Sequence, residues 1–181
     1  LASVAAARGY RIIITMPETM SIERRSLMKA YGAEIVLTEG AKGMNGAIAK
    51  AEELAKEIPG SFIPGQFVNP ANPKVHRETT GPEIWRDTDG AVAIFISGVG
   101  TGGTLSGIGK VLKEANPDIS IVACEPDNAA ILSGGNIGTH LQMGIGDGVI
   151  PAILDQEIYN DIRIVTDEEA RSLCVRLGTV L

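Results

Sequence analysis

The spacing of apolar positions along the chain alternates between short strand-like runs and stripes of period 3.6. Ala2–Arg8 reads as a helix stopped by Gly9, a residue suited to the C′ position, and Tyr10–Thr15 reads as a strand. Ser21 is placed to cap a helix running to Tyr31 and closed by Gly32, and strand Glu34–Leu37 and loop Glu39–Gly43 follow. Helix Gly46–Glu57 carries Ile48, Ala51, Leu54, Ala55 and Ile58 on one stripe and ends at Pro59-Gly60. A short strand at Ser61–Ile63 precedes a polar loop, Gln66–Pro73. Val75–Trp85 has helical spacing, with Gly81-Pro82 predicting a bend or a split. Then come strand Ala91–Ile96, a glycine run, helix Thr104–Ala115 and strand Ser120–Cys124. The glycine-rich stretch Ser133–Gly148 is too long for a simple connector, and Thr166-Asp167-Glu168-Glu169 is a capping box opening the last helix.

Strands alternating with helices predict an α/β fold, a twisted and mostly parallel sheet with helices on both faces in three layers. The βα rhythm breaks near Ile63–Gly65, which divides the chain into residues 1–64 and 65–181. Neither repeats nor low-complexity segments interrupt it. The chain begins within a helix-like segment and ends at Leu181 in an apolar patch, so both ends read as cut from a longer protein and the sheet is expected to be incomplete and partly uncovered.

With 181 residues the chain is long enough for a real core. A net charge of −6 without a basic run argues against a nucleic-acid or anionic-membrane surface. The apolar runs are too short to span a bilayer. Cys124 and Cys174 read as two buried free thiols, which suits a reducing cytoplasmic setting. His76 and His140 are isolated, and no Cys/His/Asp cluster has metal-ligand spacing.

The chemistry concentrates in Gly98-Val99-Gly100-Thr101-Gly102-Gly103-Thr104, between a strand and a helix. Glycines let successive backbone N–H groups converge on an anion, and the helix start adds unpaired donors and the positive end of its dipole. The run holds a phosphate, and ligands on such sheets bind beyond the carboxyl ends of the strands. Whose phosphate is open on pattern alone. Gly98, Gly100 and Gly103 match the dinucleotide fingerprint, and Glu125 stands about twenty residues on, where a ribose-binding acid belongs. Against that reading, two or more βα units precede the loop. A triphosphate loop would need Lys-Ser or Lys-Thr after the glycines, and a structural turn would need fewer of them.

Four segments carry a resemblance: Met16–Arg25 (Met-Pro-Glu-Thr-Met-Ser-Ile-Glu-Arg-Arg), Gly65–Pro73 (Gly-Gln-Phe-Val-Asn-Pro-Ala-Asn-Pro), Thr79–Trp85 (Thr-Thr-Gly-Pro-Glu-Ile-Trp) and the glycine loop. In order and spacing they resemble the cysteine synthases, or O-acetylserine sulfhydrylases, of the fold-type II enzymes that use pyridoxal 5′-phosphate (PLP). The resemblance runs from Leu1 to Leu181. It implies a tryptophan synthase β-like fold and assigns the loop to the phosphate of PLP through Gly100, Thr101, Gly102, Gly103 and Thr104. It also implies a β-replacement in cysteine biosynthesis, O-acetyl-L-serine and sulfide giving L-cysteine and acetate, in the full-length parent. Residues 1–64 would then be the smaller, substrate-side domain and 65–181 the larger, phosphate-binding one. Gln66 matches the glutamine that helps hold the substrate α-carboxylate, although a loop glutamine can also cap backbone. Asn69 and Asn72 are expected to shape the proline-rich loop.

Gly144-Ile145-Gly146-Asp147-Gly148 resembles the family's segment at the active-site mouth, with Gly144 on the substrate side. Thr139, Leu141, Gln142 and Met143 stand where Pro, Lys, Ile and Gln are commoner, and Asp147 and Val149 where Ala and Phe also occur. These departures bear on which activated serine is used; Met143 is expected to pack the wall. The family's Schiff-base lysine, its Ser-Gly-Asn-Thr-Gly loop and the serine facing the pyridine nitrogen have no counterpart in the segment. Lys42, in a glycine setting, reads as a solvated loop lysine, and the segment alone is expected to be inactive. The resemblance further implies a homodimer and serine acetyltransferase as a docking partner. Cystathionine β-synthase and serine or threonine dehydratase share the phosphate loop, and an NAD-binding dehydrogenase domain stays open on the fingerprint alone.

Overall fold

The computed structural model describes the backbone of residues 1–180 and the side chains of residues 1–178. Leu181, the end of the expected apolar patch, lies outside the described residues. The chain forms two compact units, Leu1–Pro64 and Gly65–Leu181. In each, every strand pairing is parallel, as expected for an α/β chain.

The first unit runs α1 (Ala2–Arg8), β1 (Ile13–Pro17), α2 (Ile22–Ala30), β2 (Glu34–Thr38), a 3₁₀ turn (Gly40–Lys42) and α3 (Gly43–Glu57), with β1 beside β2. Strand β1 starts three residues later than its apolar run suggests. Gly9 adopts φ 70°, and the Tyr10 N–H bonds back to the Ala5 carbonyl at 2.9 Å, so the α1 cap consumes the residue expected to open the strand. Ser21 Oγ accepts from the Arg24 N–H at 3.3 Å as the expected cap. Arg25 explains the segment before it: its guanidinium donates to the carbonyls of Met20 and Glu18 and holds the turn after β1 in place. On α3 the inward stripe is centred on buried Ala47, which leaves Ile48 37% exposed at its edge. Ser61–Ile63 is not a strand but irregular chain, with Phe62 78% exposed.

The second unit contains α4 (Ala71–Val75), a π-helical turn (His76–Thr80), α5 (Gly81–Asp87), β3 (Ile94–Gly98), α6 (Gly103–Ala115), β4 (Ser120–Pro126), a 3₁₀ turn (Asp127–Ala129), β5 (Asp161–Val165) and α7 (Asp167–Val180), in sheet order β3-β4-β5. The break expected at Gly81-Pro82 takes the form of the π turn just before it, where the ladder absorbs the missing proline N–H. Helix α4 begins inside the expected loop, because prolines are tolerated in a first helical turn. The core joins Leu105, Ile108 and Leu112 of α6 to Ile119, Ile121, Ala123 and Leu154. Ile94 and Ile96 on β3 each remain 60% exposed. Strand β5 carries Ile162 inward between Asp161 and Arg163, a pattern too short to stand out after the glycine-rich stretch. The capping box at α7 forms as expected: the Glu169 N–H donates to Thr166 Oγ1 at 3.1 Å, and the Thr166 N–H donates to Glu169 Oε2 at 2.9 Å.

Candidate anion-binding site

Strand β3 ends at Gly98, in register with Cys124, and the Val99 N–H donates to the Cys124 carbonyl at 3.0 Å. Beyond that bond the chain leaves the sheet and turns into α6 through Gly102, which sits at φ 77° as the N-cap. Among the described residues, the N–H groups of Gly100, Thr101, Gly102, Thr104 and Leu105 have no protein acceptor. Leu105 is fully buried, and Gly102 and Gly103 are buried with it. Unpaired buried donors at a helix start ask for an anion.

The glycines are required by what surrounds them. A Cβ on Gly100 would lie 2.6 Å from the Gly144 carbonyl oxygen, and one on Gly102 would lie 2.8 Å from Leu154 Cβ. A Cβ on Gly103 would overlap the Asn72 amide. The Gly146 N–H donates to the Val99 carbonyl at 3.1 Å, so the second glycine segment lies against the first. Ile145 packs over Gly98.

Both threonines of the loop have polar partners from the segment that begins α4. Asn72 Nδ2 donates to Thr101 Oγ1 at 2.9 Å and to the Gln66 carbonyl at 2.9 Å. His76, one turn later, places Nε2 3.3 Å from Thr104 Oγ1 and Nδ1 3.0 Å from Thr80 Oγ1. The backbone of Gln66 is thereby tied to the loop, while its side chain is exposed. Gly144, at φ 94°, presents its carbonyl to Gly100. Asn72 was expected only to shape its own loop, and nothing in the spacing marked it as the bridge between Gln66 and Thr101.

Glu125 is occupied elsewhere. It is 2% exposed, its Oε2 accepts from the Leu132 N–H at 2.9 Å, and its Oε1 accepts from the Ser133 N–H at 3.0 Å and from the Ser133 hydroxyl. The carboxylate latches the start of the glycine-rich stretch to the end of β4. The cavity beside it, lined by Val99, Ala129, Leu132 and Gly148, measures only about 10 Å³. Buried, with both oxygens already accepting from Leu132 and Ser133, the carboxylate has no free face for a ribose, so the dinucleotide reading of Glu125 is corrected.

Asp147, in the second glycine segment, is half-buried; burial pushes its carboxyl up and the neighbouring His140 pulls it back. His140 Nε2 lies 3.3 Å from the Gly146 carbonyl, while its buried Nδ1 has no partner. Met143 is 59% exposed rather than packed into a wall. Lys42 pairs with Glu39 at 2.6 Å, and that bond raises its pKa, the opposite of what a reactive amine needs. Cys124 is half-buried and its thiol is pushed up by burial, but Cys174 is exposed, which corrects the expectation of two buried thiols. Among the described residues no His/Cys/Asp/Glu group could hold a metal ion, and no helix is long and apolar enough to cross a membrane.

Known proteins share this arrangement over nearly the whole chain. The sequence profile described as pyridoxal-phosphate dependent enzyme matches residues 1–180. A cysteine synthase from Staphylococcus aureus (strain Mu50 / ATCC 700699) is 55% identical over 179 residues, which are 98% of this chain and 57% of that protein. The crystal structure of a cysteine synthase from Entamoeba histolytica superposes with a TM-score of 0.87 at 46% identity, over 93% of this chain and 50% of the other. That of an O-acetylserine dependent cystathionine beta-synthase from Helicobacter pylori gives a TM-score of 0.93 at 37% identity, over 99% and 58%. The chain thus spans little more than half the length of these relatives.

Proposed function

Because the chain belongs to the pyridoxal-phosphate dependent enzymes, we propose that the glycine loop holds the phosphate of PLP in a cysteine synthase. The observation that carries this reading is the cradle itself: the unpaired N–H groups of Gly100, Thr101, Gly102, Thr104 and Leu105, around glycines whose Cβ positions are already filled. These residues fit a phosphate dianion. Gly100, Thr101, Gly102 and Thr104 would hold it by backbone N–H and, at the two threonines, by hydroxyl donors, while Gly103 leaves room for the Asn72 amide against the loop. PLP, when bound, supplies an electron sink for loss of the substrate α-proton.

The chain's own residues then bind and orient. The exposed Gln66 amide is offered to the substrate α-carboxylate, and its backbone is held to the phosphate loop through Asn72. Gly144, packed on Gly100, lines the substrate side. Residues 65–181 carry the phosphate, and residues 1–64 form the substrate-side unit. The reaction of the full-length protein is the β-replacement of O-acetyl-L-serine with sulfide to give L-cysteine and acetate. A homodimer in the cytoplasm, with serine acetyltransferase as a docking partner, belongs to the same reading.

The full-length protein, supplied with O-acetylserine and sulfide, is expected to form cysteine and acetate in equal amounts. Replacing sulfide by homocysteine tests the second reading, cystathionine formation, which the likeness to the Helicobacter pylori enzyme favours. Cystathionine as the dominant product would displace the cysteine synthase reading. Pyruvate from serine alone would point to a dehydratase. Borohydride trapping of the 181-residue segment with PLP is expected to leave Lys42 unmodified.

A further inference from the structure

We infer that Asn72 and His76 are positioning residues that turn the protons of both loop threonines toward the bound anion; this rests on the loop holding a cofactor phosphate. A hydroxyl has one proton to donate and two positions that accept. Thr101 Oγ1 accepts from Asn72 Nδ2 at 2.9 Å and faces the Gly103 N–H at 3.4 Å. With both accepting positions taken, the Thr101 proton is left for the site. The Asn72 amide cannot swing away to receive that proton, because the same nitrogen also donates to the Gln66 carbonyl.

Thr104 is set by the tautomer of His76. Thr79 gives its own proton to the Val75 carbonyl at 2.8 Å and so cannot donate to Thr80. If His76 Nδ1 carried the ring proton, the Thr80 proton would be left with only Thr79 Oγ1, at 3.5 Å. The bonding closes when Thr80 donates to Nδ1 and Nε2–H donates to Thr104 Oγ1. The Thr104 proton then also faces the anion. Asn72 and His76 lie four residues apart in the helical run packed on the start of α6, so one face of that run sets the polarity of both hydroxyls. A phosphate, which presents only acceptors when fully ionised, meets two donors that need no reorientation.

The test uses the holoenzyme and the apoenzyme prepared from it. Asn72→Ala is expected to weaken PLP binding about tenfold, the factor carried by one hydrogen bond to a charged group. It should leave pyridoxal, which lacks the phosphate, unaffected, and the ³¹P resonance of bound PLP should shift. In a Thr101→Val background, Asn72→Ala should add nothing further. Independent, additive losses would overturn the inference, as would equal losses for PLP and pyridoxal. Nitrogen-15 NMR of His76 in the unsubstituted protein decides the second half without a variant. An Nε2–H tautomer is expected, and an Nδ1–H tautomer overturns it. If the unsubstituted protein itself does not prefer PLP to pyridoxal, the phosphate reading fails; if it does and Asn72→Ala changes nothing, only this inference fails.

Discussion

A methyl group on Gly100 would sit 2.6 Å from the carbonyl oxygen of Gly144 and 3.6 Å from Asp147 Oδ2. The two glycine segments are therefore one structure, and the loop keeps its shape only while nothing stands between them. Gly100→Ala must push Gly144 away or re-aim the Gly100 N–H. We expect at least about a tenfold loss of PLP affinity, since one donor of the cradle is misdirected. Thermal stability should fall less, because Gly100 is only partly buried and lies beyond the last residue of β3. Titration of the apoenzyme with PLP, beside a melting curve, measures both; unchanged affinity would show that the two segments do not share one site.

Glu125 and the start of the glycine-rich stretch give a second prediction. Removing the carboxylate by Glu125→Ala leaves the N–H groups of Leu132 and Ser133 and the Ser133 hydroxyl without their acceptor. A loss of about 3 kcal/mol is expected, in the range for breaking a buried charged hydrogen-bond set. Chemical denaturation measures it. NAD added to the unsubstituted protein should not raise its melting temperature, whereas a ribose-binding role for Glu125 would require that it did.

Two helical glycines are expected to respond with opposite signs to the same change. Gly107 lies inside α6, where propensity alone favours alanine by about 1 kcal/mol. A Cβ there would overlap the Pro73 carbonyl oxygen and approach His76 Cβ to 2.7 Å. Gly107→Ala should therefore destabilise the protein by about 1–3 kcal/mol net and loosen the run that carries Asn72 and His76. Gly178, in α7, has nothing within 4 Å of its Cβ position. Gly178→Ala should be neutral or stabilising by less than about 1 kcal/mol. Urea midpoints of the two variants that moved in the same direction would contradict the packing assigned to α6.

Local periodicity made the α/β order and the glycine cradle legible, because a parallel fold of short units writes its elements into neighbouring residues. The departures arise where a local signal competes with a bond it does not contain. Tyr10 has strand character, yet its N–H is spent on the α1 cap. Ser61–Ile63 has an apolar pair but no ladder, and β5 has only Ile162, Ile164 and Val165 to announce it. In the site, the loop glycines were visible as a run. The contacts that give them meaning join Asn72 to Thr101, His76 to Thr104 and Glu125 to Ser133, and only the fold brings those positions together. The literal match of Glu125 to a ribose-binding acid was a match of spacing, and burial decided against it.

Asp147 yields a prediction whose sign follows from its surroundings. Burial lifts its carboxyl above the ordinary value of 3.8, while His140 opposes the lift. A carboxyl whose folded-state pKa is raised favours folding when protonated. Its contribution is complete below the unfolded pKa and is lost as the pH rises through the folded one. At neutral pH the apoenzyme therefore carries a charge that folding disfavours, close to the place where Gly100 and Gly144 meet. Asp147→Asn removes that charge and retains the shape. The variant apoenzyme should melt above the unsubstituted protein at neutral pH, and the difference should shrink as the pH falls toward 3.8. The same substitution removes a negative charge beside the phosphate loop, so PLP should bind more tightly at neutral pH, with the gain reduced by added salt. A variant that melts lower at neutral pH, with a gap that does not change on acidification, would mean that the Asp147 carboxylate is held by favourable bonds rather than penalised by burial.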